Sequence, residues 1–236
     1  MQFNAINSDL KLFGISILCL IIHQTIILLI PSSKNKDLPS DSVNRFRLSF
    51  IMERLTGFIT LGVLPYSFFF IEDFEIQNFM GLGGTFSWPG FLYIIITVLL
   101  TLIFTKLVSN RIDLSNLQLT IKYPGVSNNW LIENSIVWGL YLFSYELLLR
   151  GFLLFSSLAL FGFVYSIIIN CLVYSIIHIP KGRAEALGAI PFGIILCLIT
   201  LQTKSIWGAY ILHMSLAVSM DWKIVKRINK AVELNL

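Results

Sequence analysis

The sequence predicts an all-α fold, a polytopic transmembrane helical bundle of about seven to eight spans. Three observations predict it. The 236 residues are 56% hydrophobic and only 13% charged, against about 25% charged residues in a soluble domain. Mean hydropathy is +0.79. The apolar residues come in successive runs near the ~20 residues a helix needs to cross hydrocarbon, separated by short polar segments that leave no room for a second folded unit.

The runs give the elements in order. The first span is expected over 12–31. It lacks a small-residue cleavage site, which reads as a retained span rather than a removed leader. A polar segment, 32–49, follows with Pro39 and Asp41 as turn formers, and 45–54 is expected as a basic surface helix. Further spans are predicted over 55–71, 89–108, 131–157, 162–179, 185–201 and 205–221. The run 131–157 is too long for one straight span, so a tilt or a break near Gly151 is expected. The segment Gly81–Pro89 is glycine-rich and aromatic, an interfacial loop anchoring Trp88. The tail 222–234 alternates basic and apolar residues and suits an anionic inner leaflet. Three regions result: 1–127, N-terminal helices with basic cytoplasmic loops; 128–221, the core that carries the motifs; 222–236, a basic cytoplasmic tail.

Charge placement orients the chain. The formal net charge is +4, but the basic residues gather in loops and tail, a pattern of membrane topology, and no nucleic-acid partner is implied. Lys34, Lys36, Arg45, Arg47 and Arg54 precede the second span. Lys106, Arg111 and Lys122 follow the third, Lys181 and Arg183 follow the fifth, and Lys223, Lys226, Arg227 and Lys230 lie in the tail. Seven spans with the N-terminus outside and the C-terminus inside put each cluster in the cytoplasm. Only Lys204 falls on the other side. The expected setting is an integral membrane protein of a bacterial inner membrane, with membrane lipids as neighbours. Cys19, Cys171 and Cys197 all fall in apolar runs, as expected for buried free thiols.

Polar residues within the apolar runs mark the candidate site. A charge at mid-membrane costs roughly 2.5–3.5 kcal/mol on insertion scales, so an intramembrane ionisable group is a functional hypothesis. Glu146 and Arg150 stand four apart and project from one helix face. His178 ends the fifth apolar run before Pro180, and His213 lies within the last. His23 has no polar pattern around it and is assigned to structure. One carboxylate and two imidazoles can activate water directly, as base and oxyanion stabiliser. They can also do so as a two-His-one-Glu zinc site. Both readings stay open on spacing alone.

The motifs Tyr145-Glu146-Leu-Leu-Leu-Arg150-Gly-Phe-Leu-Leu, Tyr174-Ser-Ile-Ile-His178 and Thr203-Lys-Ser-Ile-Trp207 followed by His213-Met-Ser-Leu-Ala217 resemble the CAAX protease and bacteriocin-processing (CPBP, or Abi) family of intramembrane endopeptidases. The likeness spans about 130–220. It implies a hydrolase acting on hydrophobic or lipidated peptide substrates, with catalytic residues Glu146, Arg150, His178 and His213; on the zinc alternative, Glu146, His178 and His213 are the expected ligands. Two positions depart from the pattern: the family's first glutamate corresponds to Tyr145, and its terminal asparagine to Ala217. Glu185, seven residues past His178, is a weaker substitute carboxylate. The departures set a second reading beside the first, a pseudoprotease that binds peptides as scaffold or regulator. A third, a small transporter with Glu146–Arg150 as ion relay, lacks polar residues to line a path outward. On the hydrolase reading Glu146, His178 and His213 should converge within roughly the 4–6 Å reach of interacting charges.

Overall fold

The computed structural model describes residues 2–29, 42–71, 82, 88–111 and 128–234. These residues are helical but for short connections, and the all-α bundle expected from composition is the fold found. α1 is Gln2–Leu29. α2 begins as Ser42–Phe58, passes through a π-helical turn at Ile59–Val63 and continues as Leu64–Ile71. α3 is Trp88–Arg111. α4 begins as Asn128–Glu146, winds as a π-helix over Leu147–Leu153 and ends as Leu154–Phe161. α5 is Phe163–His178, α6 is Arg183–Thr203 and α7 is Trp207–Glu233. Among the described residues, five segments are long and apolar enough to cross a membrane: Asn7–Leu29, Trp88–Asn110, Asn129–Phe161, Phe163–Lys181 and Arg183–Thr203.

The structure gives three expectations a more definite form. The long fourth run does not break near Gly151. The backbone there closes on i→i+5 bonds instead, and the chain turns only at Gly162, whose φ of 80° favours a residue without Cβ. The basic segment 45–54 is not a separate surface helix. It is the first part of α2, and Arg54 is buried against α4. The basic tail continues α7 without interruption, with Val225 and Ile228 buried. It lies along α3, where Lys223 donates to the Leu102 carbonyl and the Thr105 hydroxyl, and Arg227 to the Ser109 carbonyl. The expected loops at 32–41, 72–81 and 83–87 fall outside the described residues.

α4 is the central element. It packs against α1, α2 and α7, while α5 and α6 pair closely beside its π-helical stretch. Leu148, Leu149, Leu153 and Leu154 are fully buried. In lipid there is no hydrophobic gain on helix association, so close backbone approach carries the packing. Two glycines permit it. A Cβ on Gly62 would stand 2.3 Å from the Ser144 hydroxyl oxygen, and one on Gly193 would stand 3.2 Å from the Tyr174 ring and 3.3 Å from the Cys171 sulfur. The three cysteines are buried and free. His23 is buried and shares a 2.9 Å hydrogen bond with Thr60, joining α1 to α2.

Candidate active site

Glu146 is the last residue of α4 before the π-helical stretch, and Arg150 lies within that stretch. Both side chains are fully buried. The Arg150 Nε is 3.3 Å from Glu146 Oε2, and its Nη1 donates to Oε1 at 3.5 Å. The guanidinium carbon also lies 4.6 Å from the centre of the Tyr174 ring, within the range of cation–π attraction. A π-helical turn inside an α-helix is uncommon and is found often at functional sites. Here it is held from α5: Asn170 donates to the Leu149 carbonyl at 2.6 Å, the same oxygen that accepts the Leu154 backbone N–H. Asn170 in turn accepts from the Cys197 thiol of α6 at 3.3 Å.

α7 brings His213 to the carboxylate. Its Nδ1 and Glu146 Oε1 are 2.5 Å apart, and its Nε2 lies 3.4 Å from the Tyr174 hydroxyl. A carboxylate accepts only, so Nδ1 carries the proton of the short bond and Nε2 is an acceptor, to which the Tyr174 hydroxyl donates over its longer contact. His178 reaches the same arrangement by another route. Its Nδ1 is 2.8 Å from the Tyr174 carbonyl one turn back, which also only accepts. Its Nε2 is therefore the free acceptor, on a half-buried ring beside the exposed turn Ile179–Lys181.

Three of the four residues singled out in the sequence thus form one hydrogen-bonded cluster: Glu146, Arg150 and His213. His178 joins it through Tyr174, whose ring centre is 4.5 Å from that of His178 and 6.0 Å from that of His213. Glu185 is exposed in the first turn of α6, outside the buried cluster. In this arrangement Glu146 is bonded to Nδ1 of His213, while Nε2 faces the Tyr174 hydroxyl. Among the described residues no three His, Cys, Asp or Glu side chains are grouped to hold a metal ion.

Tyr145, where the resemblance places the family's first glutamate, is 2% exposed, and its hydroxyl has no hydrogen-bond partner. Its ring stacks on Tyr141 at 5.8 Å and meets Tyr174 and His213 edge to face, each at 5.9 Å. Ala217 is one turn beyond His213 on α7 and adds no polar group.

Sequence reasoning missed Asn170. The signal was present, since an asparagine within the apolar run 163–178 carries the same kind of cost as the histidine that ends it. A second buried polar group also went unseen. Arg54 donates to the Asn134 side-chain oxygen, while Asn134 and Trp138 both donate to Asp221 Oδ2, at 3.1 and 2.8 Å. The Arg54 guanidinium stacks 3.9 Å from the Trp138 ring. This group ties α2, α4 and α7 together about two turns of α4 from Glu146.

No curated protein and no solved structure matches the chain. Residues 128–219, which hold every residue of the buried cluster, match the family model described as Rce1-like, type II CAAX prenyl endopeptidase, so the site-bearing part of the chain is similar to that family.

Proposed function

We propose that the chain is an intramembrane endopeptidase that hydrolyses peptide bonds near the C-terminus of membrane-associated or lipidated substrates, with Glu146, His178 and His213 as its catalytic groups. The observation that carries this reading is the 2.5 Å contact between Glu146 and His213 Nδ1. It fixes the imidazole tautomer and leaves Nε2 as a proton acceptor, the task of a general base. Arg150 holds the carboxylate in place and compensates its charge. In this role Glu146 orients the base and stabilises the imidazolium that forms, so a carboxylate tied to an arginine is well suited to it. His178, half-buried beside the exposed Ile179–Lys181 turn, stands where a peptide reaching in from that side would pass. The C-terminal end of α7 and this turn face the cytoplasm of a bacterial cell in this reading.

The test uses the purified chain in detergent or liposomes and an internally quenched peptide ending in farnesylated Cys-Val-Ile-Met, beside its unprenylated form. Wild type is expected to cleave the lipidated peptide. Glu146→Gln and His213→Ala are each expected to lose roughly 10²–10⁴-fold in kcat, the usual contribution of general acid–base catalysis. Cleavage by both variants at the wild-type rate refutes the assignment.

One observation supports the second reading, a peptide-binding protein without hydrolysis. Glu146 Oε1 accepts from both His213 and Arg150, so the buried carboxylate is already engaged by the protein. Under this reading the same peptides bind, by fluorescence anisotropy, and no product forms.

A further inference from the structure

Burying a hydroxyl without a partner costs roughly 1–3 kcal/mol, and native side chains rarely leave one so. The Tyr145 hydroxyl is such a group, on a side chain 2% exposed. Its surroundings make the omission specific. Glu146, the next residue, leaves Oε2 without a hydrogen bond, and Arg150 one turn on leaves Nη2 without one. With the Ser144 hydroxyl, unpartnered polar atoms from four side chains therefore occur within a short stretch of α4, and the Tyr145 ring among them contacts His213.

The Tyr145 ring has little freedom. It stacks on Tyr141 and contacts Tyr174 and His213, so the direction of its hydroxyl is set by packing that needs no hydrogen bond of its own. A donor held ready before the reaction is the feature that electrostatic stabilisation of an oxyanion requires. A phenol, with an ordinary pKa of about 10, is protonated at neutral pH and can donate; it is a poor base there.

We propose that Tyr145 is a catalytic residue whose hydroxyl donates a hydrogen bond to the carbonyl oxygen of the bond being hydrolysed. The inference rests on the hydrolase reading above and assigns within it the electrophilic role. Water adds to the carbonyl carbon as His213 Nε2 takes one of its protons, and the carbonyl π pair moves to oxygen. The resulting oxyanion accepts from the Tyr145 O–H, which keeps its proton. The oxyanion's electron pair then re-forms the C=O bond as the C–N bond breaks with its pair going to nitrogen, and the proton on His213 passes to the departing amine, leaving a carboxylic acid. Position 145, which the resemblance gives to a proton-accepting glutamate, thus becomes a donor position, and the base moves to the Glu146–His213 pair.

Tyr145→Phe removes the oxygen and keeps the ring. On the farnesylated Cys-Val-Ile-Met peptide it is expected to lower kcat by about 10²–10³-fold, the effect of deleting one oxyanion donor, with KM nearly unchanged. Its thermal midpoint should equal or exceed that of wild type, since an unsatisfied hydroxyl is removed. A second variant keeps the hydroxyl: 3,5-difluorotyrosine at 145, whose phenol ionises at lower pH, should add an alkaline limb to the pH profile of kcat. Wild-type kcat in Tyr145→Phe together with no new limb overturns the inference and leaves the hydrolase reading standing. No turnover by wild type refutes the hydrolase reading, and this inference with it.

Discussion

Asn170 reaches from α5 to donate to the Leu149 carbonyl at 2.6 Å, and so the helix that carries Glu146 and Arg150 is anchored at its irregular stretch by a neighbour. Backbone groups at membrane depth have no water to turn to, and a departure from α-helical bonding needs help from adjacent helices. The Leu149 oxygen has that help twice, from Asn170 and from the Leu154 N–H.

Asn170→Leu is therefore expected to destabilise by about 1–3 kcal/mol, the cost of a buried group losing its partner. It should also free the Cys197 thiol, which donates to Asn170 Oδ1. The check is thermal unfolding in detergent together with the kinetics of thiol labelling. An unchanged midpoint would show that the π-helical stretch is stable without this bond.

The Glu146–Arg150 pair is fully buried, and removing one partner of such a pair costs about 3–5 kcal/mol. Arg150→Met is expected to lower stability by that order and to abolish activity. Arg150→Lys should recover part of the stability and little of the activity, because a point charge cannot hold both carboxylate oxygens as the guanidinium does. Equal recovery of both by lysine would mean that charge alone matters here.

Much of this arrangement could be read from the chain because membrane burial makes polar residues conspicuous. Glu146, Arg150 and His213 stood out by cost alone, and the fold class followed from run lengths. What could not be read was how the helices rotate against one another. Whether His178 and His213 both turn toward Glu146 depends on the crossing of α5, α6 and α7, and it is the absence of a side chain at Gly193 that lets α6 approach Tyr174 so closely. The π-helical winding was equally hidden. Local propensity in Leu147–Leu153 is ordinary, and the choice is made by tertiary partners such as Asn170. Arg54 reads from sequence as part of the flanking basic charge and Asp221 carries no signal at all, since their common partners Asn134 and Trp138 become visible only once α2, α4 and α7 are packed.

That second group gives a prediction of its own. Asp221→Leu removes the acceptor of both Asn134 and Trp138 and a carboxylate whose charge acts on Arg54. It is expected to cost about 3–5 kcal/mol as a broken buried charge network. Arg54→Met combined with Asp221→Leu should be milder than the two single effects added, since no lone charge then remains. The double-mutant cycle by chemical or thermal unfolding measures this, and strict additivity would mean that the two charges do not sense one another.

His178 and the Glu146–His213 pair make separable contributions, and kinetics can tell them apart. Glu146 and His213 share one short bond, so removing either disables the same base. Glu146→Gln with His213→Ala is expected to cost little more in kcat than one of them alone, the non-additive pattern of groups acting as a unit. His178 is bonded instead to the Tyr174 carbonyl and contacts that cluster through the Tyr174 ring. His178→Ala added to Glu146→Gln should therefore lower kcat further, by a factor close to that of His178→Ala in the wild type. If the His178 and Glu146 effects proved fully redundant, both would serve one proton transfer, and His178 would belong to the base itself.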